Sequence, residues 1–99
     1  MALVIDPAKV EVSILKKAVE WNGKYVLEVG CGAGRLTQRL AGLGPRRIVA
    51  IDSDADQISA ARRSFPKPLK RLVTFRIEQG DQIKYPASTF DIALFSWVL

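Results

Sequence analysis

Apolar positions along the chain switch between a helical and a strand period, and the switches mark the elements. Val10, Ile14, Ala18 and Trp21 recur at helical spacing with Leu15 and Val19 beside them, while Lys16, Lys17 and Glu20 take the other face. Asp6 suits the N-cap of this helix, Pro7 its first turn, and Asn22-Gly23 its end. Tyr25 to Val29 is an apolar run interrupted only by Glu28, and it empties into glycines at 30, 32 and 34. Leu36, Leu40 and Leu43 mark a second amphipathic helix, terminated by Gly42, Gly44 and Pro45. Ile48 to Ile51 is continuously apolar, the pattern of a parallel strand buried on both faces, and it ends in Asp52-Ser53-Asp54. Ala55, Ile58, Ala61 and Phe65 give a third helix, with Asp54 as its cap and Pro66 and Pro68 as its end. Val73, Phe75 and Ile77 alternate with Thr74, Arg76 and Glu78, which suits a strand at the edge of a sheet. Ile92 to Phe95 is again an interior-type run.

The order is therefore helix, β, α, β, α, β, loop, β. With right-handed crossovers it predicts a three-layer α/β fold whose parallel sheet has about four strands in the order 3-2-1-4. The whole of residues 1–99 reads as one domain, with a leading helix in 1–23 and a ligand-binding core in 24–99. In such sheets ligands sit beyond the strand C-termini where the winding reverses, here between the first and fourth strands. The glycine loop lies at that point.

Strand, glycine-rich turn and helix bring bare backbone N–H groups up to a ligand. Glu28 sits just before the loop, Asp52 ends the second strand, Asp81 follows the third, and Ser96 lies near the end of the fourth. Asp52 is 22 residues past Gly30, the distance at which a carboxylate on the next strand tip can hydrogen-bond two ribose hydroxyls. Asp81 is placed to accept from an exocyclic amine such as that of adenine. For both aspartates the alternative is a cap or a turn. A nicotinamide dinucleotide fits poorly. Its fingerprint wants a third glycine where Arg35 stands, and Glu28 would face a pyrophosphate. A carboxylate beside the loop suits a ligand with a positive group.

Composition narrows the chemistry. The sequence has 99 residues, 48% apolar and 25% charged, and no run of 18 apolar residues. Met1 to Asp6 lacks the basic flank and length of a signal peptide, so a cytoplasmic protein without membrane attachment is expected. With no histidine and one cysteine, histidine triads, sulfur-rich zinc sites and an internal disulfide are excluded, and no metal site is expected. The net charge is +5, and Arg62 to Arg71 holds five basic residues and no acid. That segment reads either as a nucleic-acid contact or as a solvated linker, with the linker favoured.

Val26-Leu-Glu-Val-Gly-Cys-Gly-Ala-Gly34 resembles the first motif of class I S-adenosylmethionine-dependent methyltransferases. Ala50-Ile-Asp-Ser53 with Gln57-Ile-Ser-Ala-Ala61 resembles their second-strand acidic segment. Gly80-Asp81-Gln82 and Thr89 to Leu99 resemble their third and fourth motifs. The resemblance runs from about residue 25 to the last residue and implies a Rossmann-like methyltransferase fold with S-adenosyl-L-methionine as cofactor. By position it implies that Gly30, Gly32 and Gly34 let the backbone approach the methionine part, and that Glu28 orients that part and its ammonium. It further implies that Asp52, with Ser53, holds the ribose, and that Asp81, with the backbone of Gln82, holds adenine. Ser96 would lie at the same edge. Cys31 fills a variable slot of the loop as a small side chain, not a nucleophile.

Family members usually continue with about three more strands that complete the sheet and the acceptor pocket, so the fold is expected to be truncated. The acceptor is unassigned, and two functions follow. One is a methyltransferase, complete or completed by another chain; the other is a non-catalytic module that binds S-adenosylmethionine. With nothing after Leu99 to cover the fourth strand, a second copy or a partner chain is expected along that strand.

Overall fold

The computed structural model describes residues 2–5, 12–79 and 89–96. In chain order it contains β1 (Ala2–Ile5), α1 (Val12–Ala18), β2 (Tyr25–Val29), α2 (Arg35–Ala41), β3 (Arg47–Asp52) and α3 (Ala55–Ser64). A 3-10 helix (Lys67–Leu72), β4 (Val73–Ile77) and β5 (Ile92–Ser96) follow. The strands form one sheet in the order β1-β5-β2-β3-β4, parallel at every pairing.

Read from the other edge, β4-β3-β2-β5 is the expected order 3-2-1-4. The correction is a fifth strand. Ala2–Ile5 pairs with β5 in the register Ala2↔Ala93 to Ile5↔Ser96. Four residues are too few to carry a period, so pairing alone reveals this strand. Its presence changes the expectation for β5, which is flanked by β2 on one side and β1 on the other. The strand edge expected to lie bare is covered from within the chain.

One core cluster joins the sheet to all three α-helices. Val26, Ile48, Ala50, Ile92 and Leu94 are buried with Leu15 of α1, Leu36 and Leu40 of α2, and Ile58 and Ala61 of α3. Each fully buried Leu or Ile contributes roughly 1.5–3 kcal/mol relative to exposure. The helices join one face because β2, β3 and β4 are laid down in a single direction, and right-handed crossovers then return on the same side. Leu27 and Ile51 point to the opposite face by strand alternation and are buried outside that cluster.

Local signals were met with two adjustments. Asp54 caps α3 as expected, its carboxylate accepting from the backbone N–H of Asp56 at 2.9 Å and of Gln57 at 3.3 Å. The first helix, however, ends at Ala18 instead of Asn22-Gly23; Asp6, Pro7 and Val10 lie outside the described residues. Trp21 is buried all the same, because its indole N–H donates to the carbonyl of Leu15 at 2.6 Å. Pro66 ends α3, and the basic segment beyond it forms the 3-10 helix, which packs Leu69 and Leu72 against the core. No helix among the described residues is long and apolar enough to cross a membrane.

Removing residues 1–5 should expose the row of unpaired backbone groups on β5. The shortened chain is expected to self-associate at micromolar concentration, where the full chain elutes as a smaller species. Light scattering after size exclusion checks this, and an unchanged mass would show that β1 protects no edge.

Candidate functional site

The C-terminal ends of β2 and β3 create the site. Beyond Val29 the backbone enters the left-handed region at Gly30, Gly32 and Gly34, with φ of 82°, 54° and 85°. The backbone N–H groups of Gly30 and Cys31 both donate to the carbonyl of Ile51, at 2.8 and 3.0 Å, which pins the loop to the tip of β3. At Gly32 an added Cβ would meet nothing within 4 Å, so this glycine faces open space. Gly34 has a different task. A Cβ there would lie 3.4 Å from both the Ala61 Cβ and the Phe75 Cζ, so Gly34 lets α2 start close against α3 and β4.

Asp52 holds this arrangement from the β3 side. Its Oδ2 accepts from the Gly32 N–H at 2.9 Å and its Oδ1 from the Asp54 N–H at 2.9 Å. Each carboxylate oxygen keeps a free lone pair. A cavity of about 250 Å³ opens here, lined by Val29, Gly30, Ile51, Asp52, Ser53 and the pair Glu78–Gln79. A second cavity of about 270 Å³ shares Ser53, Glu78 and Gln79 and adds Ile77. Together they form a cleft with both polar and apolar walls.

Glu28 lies beneath the loop, fully buried, and does not line this cleft. Its Oε1 accepts from the Thr37 hydroxyl at 2.6 Å, and its Oε2 has no hydrogen-bond partner among the described residues. Burial pushes its carboxyl up to about 7; the Thr37 hydrogen bond opposes the rise and the Asp52 charge adds to it. Burial also pushes the Cys31 thiol far above its ordinary range, with the charges of Glu28 and Asp52 adding to the effect. A thiol held that way is a poor nucleophile, consistent with a filler role.

The sequence-assigned residues Glu28, Gly30, Cys31, Gly32, Gly34, Asp52 and Ser53 are thus brought to one end of the sheet. Ser96 is half-buried on β5, one residue past Phe95, the register partner of Val29. Asp81 and Gln82 lie outside the described residues. Sequence reasoning missed Thr37, Glu78 and Gln79, and it put Ile77 on the dry face, whereas Ile77 is 52% exposed at the cleft. The Leu36-Thr37 step in a helix facing Glu28 carried the only signal for Thr37.

Residues 26–99 match the model of a family described as a methyltransferase domain. The chain belongs to that family, among the class I S-adenosylmethionine-dependent methyltransferases. A ribosomal protein L11 methyltransferase from Thermotoga maritima is 33% identical over 86 residues, which are 87% of this chain and 31% of that protein. A ribosomal protein arginine N-methyltransferase from Schizosaccharomyces pombe is 32% identical over 76 residues, covering 77% of this chain and 14% of the relative. Among solved structures, an S-adenosylmethionine-dependent methyltransferase from Aquifex aeolicus superposes with a TM-score of 0.75 at 25% identity, over 91% of this chain and 51% of that one. The chain therefore spans about one seventh to one third of the length of these curated relatives. The cofactor of the methyltransferase family is S-adenosyl-L-methionine. The open space at Gly32, the lone pairs of Asp52 and the unpaired Oε2 of Glu28 fit a ligand that brings hydroxyls and a cation.

The raised carboxyl of Glu28 has a sign that can be tested. Its folded value lies above the ordinary 4.5, so its contribution to stability is fully present below pH 4.5 and is lost as pH rises toward about 7. At about 1.4 kcal/mol per pH decade, the loss is on the order of 3 kcal/mol. In Glu28→Gln, urea denaturation across pH 5–8 should no longer show this fall, and the variant should exceed the parent in stability at pH 8. A parallel pH dependence in both proteins would place the carboxylate elsewhere.

Proposed function

We propose that this chain binds S-adenosyl-L-methionine in the cleft between the glycine loop and the β3–β4 tips, as the cofactor half of a methyltransferase. The observation that carries the reading is the Asp52 carboxylate, tied at one oxygen to Gly32 and at the other to Asp54, in a residue that lines the cleft. A carboxylate fixed at two points offers its remaining lone pairs in a set direction, which suits two vicinal ribose hydroxyls. Ser53, Glu78 and Gln79 supply the polar wall for the adenosine part, and exposed Ile77 an apolar surface for a purine face. Asp81 and Gln82 complete the adenine contacts in this reading. Gly30 and Gly32 admit the methionine part, and Glu28, buried below them, supplies the counter-charge for its ammonium.

The cofactor supplies an electrophilic methyl group on a sulfonium, and transfer needs the acceptor atom, methyl and sulfur in line. The chain's own residues hold the donor side of that line. The acceptor and its positioning groups belong to no motif of this sequence. A second reading is supported by the short span relative to the curated relatives: a module that binds the cofactor and turns over only when another chain supplies the acceptor side, or not at all.

Calorimetric titration with S-adenosylmethionine, S-adenosylhomocysteine and NAD tests the cofactor. Binding of the first two without NAD is expected, and tighter binding of NAD would sink the reading. Asp52→Ala should weaken S-adenosylhomocysteine by about 1.5–3 kcal/mol. Because Asp52 also braces the loop, Asp54→Ala serves as the control: it removes a helix cap outside the cleft, costs about 1 kcal/mol of stability and should leave affinity intact. Equal loss of affinity in both variants would assign Asp52 a bracing role alone. Release of labelled methyl to a mixture of ribosomal protein and RNA acceptors separates enzyme from module.

A further inference from the structure

The end of the sheet opposite the cleft carries a different chemistry. The strands begin there, and each of the three that start beside one another is preceded by cations: Lys24 before β2, Arg46 at the start of β3 with Arg47 as its first residue, and Arg71 before β4. These positions are adjacent in space. Tyr25 pairs with Arg47 and Ile48 with Val73, and the Arg46 N–H donates to the Lys24 carbonyl at 2.9 Å. At about 4.8 Å between strands, the row steps cations across the sheet at intervals a nucleic-acid backbone can follow. Arg62 and Arg63, in the last turn of α3, and Lys67 and Lys70 of the 3-10 helix extend it.

Helix ends account for some of these charges, because cations favour a helix C-terminus. They do not account for Lys24, Arg46 or Arg47, which precede or open strands, and sheets have little dipole. Cations also outnumber acids here. The acids in the described segments at this end are Glu20 and Asp91, which accept the backbone N–H of Asn22 and of Tyr25. Lys24, Lys67, Lys70 and Arg71 make no ion pair among the described residues.

The row also borders a recess. A cavity of about 370 Å³, larger than either cavity at the cofactor end, is lined by Arg62, Lys70, Thr74 and the apolar Phe65, Val73 and Phe75. Arg47 reaches its rim, donating to the Thr74 hydroxyl at 2.8 Å. At the other end of the row the Arg46 guanidinium lies 5.6 Å over the ring of Tyr25, itself 39% exposed. Cations beside a half-exposed aromatic face and an apolar-backed recess combine backbone neutralisation with places for bases to stack or lodge. A lipid surface would ask for apolar side chains that insert, and Tyr25 is the one exposed large apolar residue described at this end.

We propose that the basic strand-start end of this chain, from Lys24 through Arg46 and Arg47 to Arg71 and the Arg62–Lys70 recess, is a docking surface for single-stranded RNA. It lies the length of a five-residue strand, about 17 Å, from the glycine loop. It is therefore an anchoring surface, separate from the cofactor cleft. RNA held there is presented along the sheet.

The test is fluorescence anisotropy of a labelled uridine oligonucleotide of about a dozen residues, titrated with the full chain across a series of salt concentrations. The expected result is binding that weakens linearly on a log–log salt plot, with a slope of about 0.7 per phosphate neutralised. The triple variant Arg46→Glu/Lys70→Glu/Arg71→Glu should bind at least tenfold more weakly and lower the slope by about 2. Its circular dichroism spectrum and urea midpoint should match the parent's, which shows that the variant is folded and keeps this test independent of the cofactor reading. Should the triple variant fail to fold, Arg71→Ala alone is expected to lower the slope by about 0.7. Absence of salt-dependent binding by the parent, or unchanged binding by the variants, would overturn the proposal. So would equal or tighter binding to phosphatidylcholine vesicles doped with phosphatidylglycerol, or to polyglutamate, since the partner would then be an anionic membrane or an acidic protein.

Discussion

The bond between the Asp52 carboxylate and the Gly32 N–H is the constraint on which the cofactor end depends. A loop with three residues at positive φ has few conformational restraints of its own, and freezing it costs more entropy than freezing an ordinary loop. The chain offsets this from the neighbouring strand: the Ile51 carbonyl takes the N–H groups of Gly30 and Cys31, and Asp52 takes that of Gly32. The second oxygen of the same carboxylate takes the Asp54 N–H, and Asp54 in turn caps α3. One side chain thus fixes the loop before α2 and the turn before α3 at the same time. Any ligand bound to Asp52 acts on a loop that is already ordered.

Glu28 shows the opposite strategy. An ionised carboxylate in the core would be costly, and a single hydroxyl satisfies only half of it. Holding its proton to near neutral pH lowers that cost and leaves Oε2 unpaired under the loop. Above neutral pH the core gains nothing in stability from this group, since a neutral isostere would sit there more comfortably at pH 8. The result is a costly buried acid directly beneath the glycine loop, with one oxygen unpaired among the described residues.

What was legible in the sequence follows from how local each signal is. The glycine loop, the apolar runs of β2, β3 and β5 and the Asp54 cap are each written within a few residues, so the order β4-β3-β2-β5 and the glycine-loop side of the cleft could be read directly. β1 could not. Ala2–Ile5 has no period, and only its pairing with β5, some ninety residues away, makes it a strand. Trp21 was assigned to a helix because it falls on the helical repeat. Its burial comes instead from an indole hydrogen bond back to Leu15 after the helix has ended. Ile77 fits the alternation of β4 but lies at the last residue of an edge strand, where no neighbour remains to bury it. Glu78 looked like the wet side of a strand, but just past the end of β4 it lines the cleft together with Gln79.

The distribution of charge follows from the same topology. In a parallel sheet with helices returning on one face, every strand starts and every helix ends at one edge, and the loops that hold a cofactor gather at the other. Helix ends attract cations at the first edge, and α3 and the 3-10 helix obey this with Arg62, Arg63, Lys70 and Arg71. Asp52, Asp54 and Asp56 stand at the second edge, where Asp54 caps α3 and Asp52 braces the glycine loop. Charge separation along the strands is therefore partly a by-product of the fold. What the fold does not require is the set of cations on the strand side of that edge, Lys24, Arg46 and Arg47, in a row continuous with the helix ends. Their placement turns scattered dipole-favoured charges into one surface, and a continuous cationic surface steers and holds a polyanion where isolated charges would not.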